Sequence, residues 1–180
     1  MVKTKAEELA AEQKEISISS FFEKNRHLLG FDNPLRALST TVKELIDNSL
    51  DACEEMRVLP DIIVDIKQLG ETRFIVNVTD NGPGVVKEQI PKVFAKLLYG
   101  SKFFRYQMSR GQQGIGVSAS VLYGQLTTGK PVKIISKIGK NKPAHYYELK
   151  IDINKNEPLI VKDQELSFAQ DHGTKVEIEL

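Results

Sequence analysis

The sequence has no tryptophan and a single cysteine, Cys53. One thiol excludes an internal disulfide framework and a zinc site built from cysteines alone. The three histidines, His27, His145 and His172, stand far apart and show no metal-ligand spacing. Long apolar runs are missing too. No stretch approaches the ~20 apolar residues that a bilayer-spanning helix requires, so no membrane partner is expected. Residues 1–15 are charged throughout and lack the apolar segment of a signal peptide. A cytoplasmic, reducing setting is the resulting expectation. Charge of one sign is also lacking: the formal net charge is +1, which neither demands nor excludes a nucleic-acid partner. Repeats and low-complexity tracts are absent. What remains is a composition of 41% hydrophobic and 27% charged residues over 180 positions, enough for one domain with a substantial core.

Residues 1–17 carry little apolar face and read as an arm. A short amphipathic helix is expected from Ile18 to Asn25, anchored by Phe21 and Phe22. Asn33-Pro34 is a helix start signal, and the helix should run to about Val58, with Leu59-Pro60 ending it. Two strand-like runs follow, Ile62–Leu69 and Arg73–Thr79, turning at Gly70-Glu71. Glu88–Leu98 looks helical. Tyr99–Gly116 is rich in glycine and polar residues and reads as a long binding loop. A helix from Val117 to about Leu126 is capped near Gly129. Strands are expected at Val132–Ile138, Tyr146–Ile151 and Thr174–Leu180. Helices early and strands mostly late predict an α+β two-layer sandwich, a mixed β-sheet with helices on one face.

Three segments carry candidate chemistry. On a helical wheel at ~100° per residue, Leu38, Val42, Leu45, Ile46, Cys53 and Met56 form a core stripe. Glu44, Asp47, Asn48, Asp51 and Glu55 fall on the other side. That face reads equally as solvated surface or as a site. Its acids are expected to lack a lysine partner and to repel one another. Glu44 and Asn48, four apart, point at the same spot, where a carboxylate and a carboxamide suit a water and a divalent metal. The second segment is Asp80-Asn81-Gly82-Pro83-Gly84. By itself it reads as a polar turn, yet its glycines would also let a flat ligand approach the backbone. An aspartate at a strand end can accept a hydrogen bond from an exocyclic amine. The third is Gly111-Gln112-Gln113-Gly114-Ile115-Gly116, running into the helix at Val117. Backbone amides at a glycine-rich helix start bind phosphate oxygens, and Lys102, Arg105 and Arg110 lie upstream. By contrast Gly124–Lys130 has the spacing of a P-loop but no preceding strand, and Pro131 stands where the magnesium-binding hydroxyl should be.

These segments in this order resemble the boxes of the GHKL ATPase superfamily: Glu44–Ala52, Asp80–Gly84, Gly111–Gly116 and a short Gly173-Thr174. The match is closer to the ATP-binding B subunits of the type IIB DNA topoisomerases. It rests on Phe31-Asp32-Asn33-Pro34, Tyr99-Gly100-Ser101-Lys102-Phe103 and Arg110–Gly116, and extends over about residues 18–180. The resemblance implies the Bergerat fold, with ATP and Mg²⁺ as ligands. It implies Glu44 as the general base and Asn48 as the magnesium ligand. Asp80 would hold the adenine amine with Thr174 assisting through water, and Gly84 would lie beside the base. Ser101, Lys102 and the run Gly111, Gln112, Gln113, Gly114, Ile115, Gly116, Val117 and Ser118 would wrap the phosphates. Implied partners are a second ATP-binding subunit in an ATP-dependent homodimer, the DNA-cleaving subunit of the same enzyme, and duplex DNA. Residues 1–17 would be a dimer-exchange strap. The sequence stops before the helical and transducer domains of such subunits, and the transducer lysine has no match here. A histidine-kinase-like phosphotransferase shares the fold, but a water-activating base in the first box speaks against it. An adapter without activity is disfavoured by the intact boxes.

Overall fold

A computed structural model describes residues 18–99 and 115–180. The N-terminal arm and the Ser101, Lys102, Gly111, Gln112, Gln113 and Gly114 assignments lie outside the described residues. Helix α1 spans Ile18–Leu29, longer than expected. Helix α2 spans Pro34–Met56. Asn33 caps it from an extended backbone conformation, its Oδ1 accepting the Arg36 N–H at 2.9 Å, with Pro34 in the first turn. The helix stops before Leu59-Pro60. Arg57 turns into the left-handed region (φ 60°), and its N–H and that of Val58 close back on Glu54 and Cys53 carbonyls.

Strands β1 (Ile63–Gln68) and β2 (Phe74–Asp80) form the expected hairpin. The run expected as one helix from Glu88 divides into a 3₁₀ turn at Lys87–Gln89 and a short α3, Ile90–Ala95. Helix α4 spans Gly116–Thr128 and ends at Gly129, whose φ of 71° is the left-handed cap. Gly124 sits inside α4, not in a phosphate loop: a Cβ there would lie 2.5 Å from the Glu179 carbonyl, so the glycine lets helix and sheet touch. Strands β3 (Val132–Lys137), β4 (Ala144–Asp152), β5 (Glu157–Leu166) and β6 (Gly173–Glu179) complete the set. Sequence reasoning missed β5. It is an edge strand, mostly exposed along its length, so it lacks apolar alternation, and Pro158 is tolerated near its start.

The sheet order is β1-β2-β6-β3-β4-β5, with every described pairing antiparallel. The α+β sandwich holds, but the sheet is antiparallel where a mixed one was expected. β2 and β3 do run in the same direction, joined by the helical crossover. The last strand, β6, inserts between them and converts both contacts to antiparallel. One face of the sheet, including Val76, Val78, Ile134, Leu149, Val176 and Ile178, packs under the helices and is buried. Residues in between stay half-buried or exposed. From α2, Leu45 and Cys53 join the core as expected. Thr41 and Ser49 are buried on the same stripe, whereas Met56 lies at the exposed end.

Candidate functional site

A pocket of about 320 Å³ lies between the helices and the sheet. Its floor comes from neighbouring strands: Val78 pairs with Val176 and Asp80 with Thr174 across β2 and β6, and all four line the pocket. One stripe of α2, Glu44, Asn48, Asp51, Ala52 and Glu55, forms a wall. Residues four or seven apart recur on one helix face, which is why this stripe arrives together. Pro83, Gly84 and Val85 form a second wall, Phe94 and Tyr99 a third, and the start of α4, Gly116–Ser118, closes the outline.

The acidic face thus divides. Asp47 does not line the pocket. It pairs with Lys43 at 2.6 Å on the helix surface, which corrects the expectation that the face had no lysine partner. Asp51 is only 8% exposed and lines the pocket. The Asn48 Nδ2 donates to the Glu44 carbonyl at 2.7 Å. That bond ties the Asn48 side chain to the helix turn that carries Glu44. Glu44 lies against Gly116, where a Cβ would meet the Glu44 Cγ at 2.7 Å and its carboxyl group closer still. Only glycine lets α4 begin beside this carboxylate.

Asp80 is 6% exposed and is the most strongly fixed polar group of the floor. Oδ1 accepts the Gly82 N–H at 2.9 Å and the Thr174 N–H at 3.2 Å; Oδ2 accepts the Ser49 hydroxyl at 3.2 Å. Burial pushes its carboxyl above the usual range, and these three donors, with His172 nearby, offset only part of that rise. The outcome is a buried acceptor held in one orientation, with lone pairs left on Oδ2. Gly173 (φ 136°) follows from the same crowding, since a side chain there would overlap the Asp80 carbonyl. Asn81 turns away from the pocket. Its Oδ1 accepts from the Asp61 N–H and from Cys53 Sγ, and its Nδ2 donates to the Leu59 carbonyl, tying the loop to the end of α2.

Of the predicted site residues, Glu44, Asn48, Asp80, Gly84, Gly116, Val117, Ser118 and Thr174 come together around this pocket. Ile115 is buried beside it as the residue preceding α4. Ser118 turns its hydroxyl back to the Ile115 carbonyl, 3.1 Å away. Sequence reasoning missed Ser49 and Tyr99 as site residues and gave Asp51 no role. Ser49 had one signal, a polar residue on an otherwise apolar helix stripe. Among the described residues no cluster of three or more His, Cys, Asp or Glu could hold a metal, and no helix is long and apolar enough to cross a membrane.

Comparison with known proteins shows the family. The sequence model of the family described as histidine kinase-, DNA gyrase B-, and HSP90-like ATPase matches residues 34–180. The chain belongs to this ATPase family. As a member of it, the chain is a nucleotide-binding domain. It is 59% identical over 177 residues to the B subunit of the type 2 DNA topoisomerase 6 of Methanosarcina barkeri, covering 98% of this chain and 28% of that protein. With the corresponding protein of Archaeoglobus fulgidus the identity is 53% over 172 residues, covering 96% and 28%. The chain therefore spans little more than a quarter of these relatives' length. A crystal structure described as the N terminal domain of a DNA repair protein superposes with a TM-score of 0.52 at 21% identity, covering 91% of this chain and 41% of that one. At that identity the likeness concerns the fold.

Proposed function

We propose that this chain is the ATP-binding and ATP-hydrolysing domain of the B subunit of a type 2 DNA topoisomerase 6. The observation that carries the reading is the buried Asp80 carboxylate, fixed by three donors on the floor of a pocket that also holds Glu44 and Asn48. A fixed carboxylate acceptor recognises an exocyclic amine, which adenine has and guanine lacks at the corresponding position. Thr174, paired with Asp80 across the strands, supports the same edge of the base, and Gly84 lines the pocket beside it. Glu44 takes a proton from water, the water oxygen bonds to the γ-phosphorus, and the bond to the β–γ bridging oxygen breaks, releasing ADP and phosphate. Asn48 would be the residue that holds Mg²⁺, which usually takes only one or two protein ligands besides substrate. Bound there, Mg²⁺ would neutralise phosphate charge. Ser101, Lys102 and Gly111–Ser118 are assigned to the phosphates, with the α4 start adding backbone amides and helix dipole.

In this reading residues 1–17 are an exchange strap and 18–180 the ATPase domain, in a cytoplasmic protein that continues into helical and transducer domains. Nucleotide drives dimerisation with a second copy. The enzyme's other subunit supplies DNA cleavage, in an assembly with two copies of each, so that strand passage relaxes duplex DNA. A phosphotransferase reading is less favoured because Glu44 lines the pocket, where it would direct the γ-phosphate to water. The test is calorimetric titration with ATP and GTP, with and without Mg²⁺, together with turnover of Glu44→Ala in the full-length protein. ATP should bind in preference to GTP. Glu44→Ala should keep binding and lose ~10²–10⁴-fold in rate. Equal affinity for ATP and GTP, or full turnover without Glu44, would reject the assignment.

A further inference from the structure

Residues 81–86 link β2 to the 3₁₀ turn and form a pocket wall through Pro83, Gly84 and Val85. The segment has no regular secondary structure, so its shape depends on what fastens its backbone. The fastening comes from β3. This strand presents Val132, Ile134 and Ser136 to the helix layer, and Ser136 is 0% exposed. A buried hydroxyl needs hydrogen-bond partners, and Ser136 finds both in one residue. Its Oγ accepts the Val85 N–H at 2.7 Å and donates to the Val85 carbonyl at 3.2 Å. Two bonds to one residue fix its backbone in orientation as well as position. Gly84, next in line at φ 71°, lies so close to β3 that a Cβ would overlap the Lys137 carbonyl. At the other end of the wall, His172 Nδ1 donates to the Gly82 carbonyl at 2.9 Å, and the Gly82 N–H is held by Asp80. Pro83-Gly84 thus spans two fastened points.

We propose that Ser136 is a positioning residue for base recognition: from outside the pocket it holds the Pro83–Val85 wall in the shape that receives the adenine ring. The inference rests on the adenine-nucleotide reading above. It places part of the specificity on β3, away from the sequence boxes. The wall is built by protein–protein bonds before any ligand arrives, so less ordering is required on binding. Because the brace acts on the wall beside Asp80, its loss should weaken every ligand that carries the base and should be indifferent to phosphate number.

The experiment is titration of adenosine, ADP and a non-hydrolysable ATP analogue with Mg²⁺ into wild type, Ser136→Ala and Ile134→Val. The last is a mild core truncation on the same strand that serves as a control for general destabilisation. Ser136→Ala, which removes both bonds to Val85, should raise all three dissociation constants by a common factor of about fivefold to tenfold, since only part of their net worth is felt on binding. Ile134→Val should leave them unchanged. Amide hydrogen exchange reads the brace directly, with Val85 losing protection in Ser136→Ala. Unchanged adenosine affinity, a loss confined to the ATP analogue, or a Val85 amide as protected as in wild type would overturn the proposal. Failure of wild type to bind adenosine, ADP or the analogue would overturn the adenine reading itself, and the inference with it.

Discussion

Replacing Gly116 with alanine should separate nucleotide binding from hydrolysis. A Cβ at this position would fall 2.7 Å from the Glu44 Cγ, and nearer to its Cδ and Oε2. Carbon atoms in good contact stand ~3.5–4.0 Å apart, so one partner must move by about an ångström or more. Gly116 is helical backbone whose carbonyl is held by the Ser120 hydroxyl at 2.9 Å. Glu44 is a flexible, half-buried side chain, and it is the group that yields. Alanine is favoured over glycine within a helix by roughly 0.5–1 kcal/mol. A displaced rotamer costs about 0.5–1.5 kcal/mol. The two act in opposite directions, and thermal or chemical melting reads the net change in stability beside the rate. Chemistry is far less tolerant, because a misplacement of ~1 Å costs on the order of 10²-fold in rate. Turnover of the full-length protein in its complete enzyme should therefore fall ~10²-fold or more, while ADP affinity measured by calorimetry changes only slightly. The decisive arm is the double variant. With Glu44→Ala in place the new methyl displaces nothing, so adding Gly116→Ala should not reduce turnover further. Full activity in Gly116→Ala, a loss of ADP affinity as large as the loss of rate, or additive losses in the double variant would refute the reasoning.

Asp80→Asn keeps the shape and the Oδ1 acceptor but presents an amide NH₂ toward the base, so ATP affinity should drop by the ~1.5–3 kcal/mol of a charge-assisted bond, read by titration. Burial raises the folded pKa of Asp80 above its unfolded value, so the native state keeps a proton that the unfolded chain has lost. Its ionisation therefore removes stability as pH rises from the ordinary value of 3.8 through the folded value, and Asp80→Asn should flatten that part of the curve of melting temperature against pH. Chelating Mg²⁺, or Asn48→Ala, should weaken ATP far more than adenosine, and an equal effect on both would remove Asn48 from the metal shell. Arg57→Gly relieves a left-handed residue at the end of α2 (φ 60°) and should stabilise the domain by about 0.5–1 kcal/mol in a denaturant melt.

Much of this was legible in the chain itself. Asn33-Pro34 announced α2 because a side-chain acceptor followed by proline is a local signal that needs nothing distant. Gly129 announced the end of α4 for the same reason. Glu44 and Asn48 were placed together by helical periodicity alone. The sequence could not reveal what depends on partners remote in the chain. Ser136 and Val85 are 51 residues apart, and Ser49 and Asp80 are 31 apart; nothing local in either marks the bond between them. The Lys43–Asp47 pair, by contrast, is an i,i+4 contact that local spacing alone allows, so the expectation of an unpartnered acidic face failed on a local signal.

The sheet shows the same division. Alternation identified β2, β3 and β6 because one face of each is buried. It failed for β5, an edge strand that the sheet holds by backbone pairing with β4, and pairing leaves no mark in side-chain type. Local chemistry and periodicity thus determined the helices, their caps, the buried strands and the three boxes. Only the tertiary structure decided that β6 separates β2 from β3. That one insertion makes the sheet antiparallel and sets Thr174 beside Asp80. Neither sequence spacing nor propensity encodes it, because it follows from which strand edges pair once the helices have covered their common apolar face.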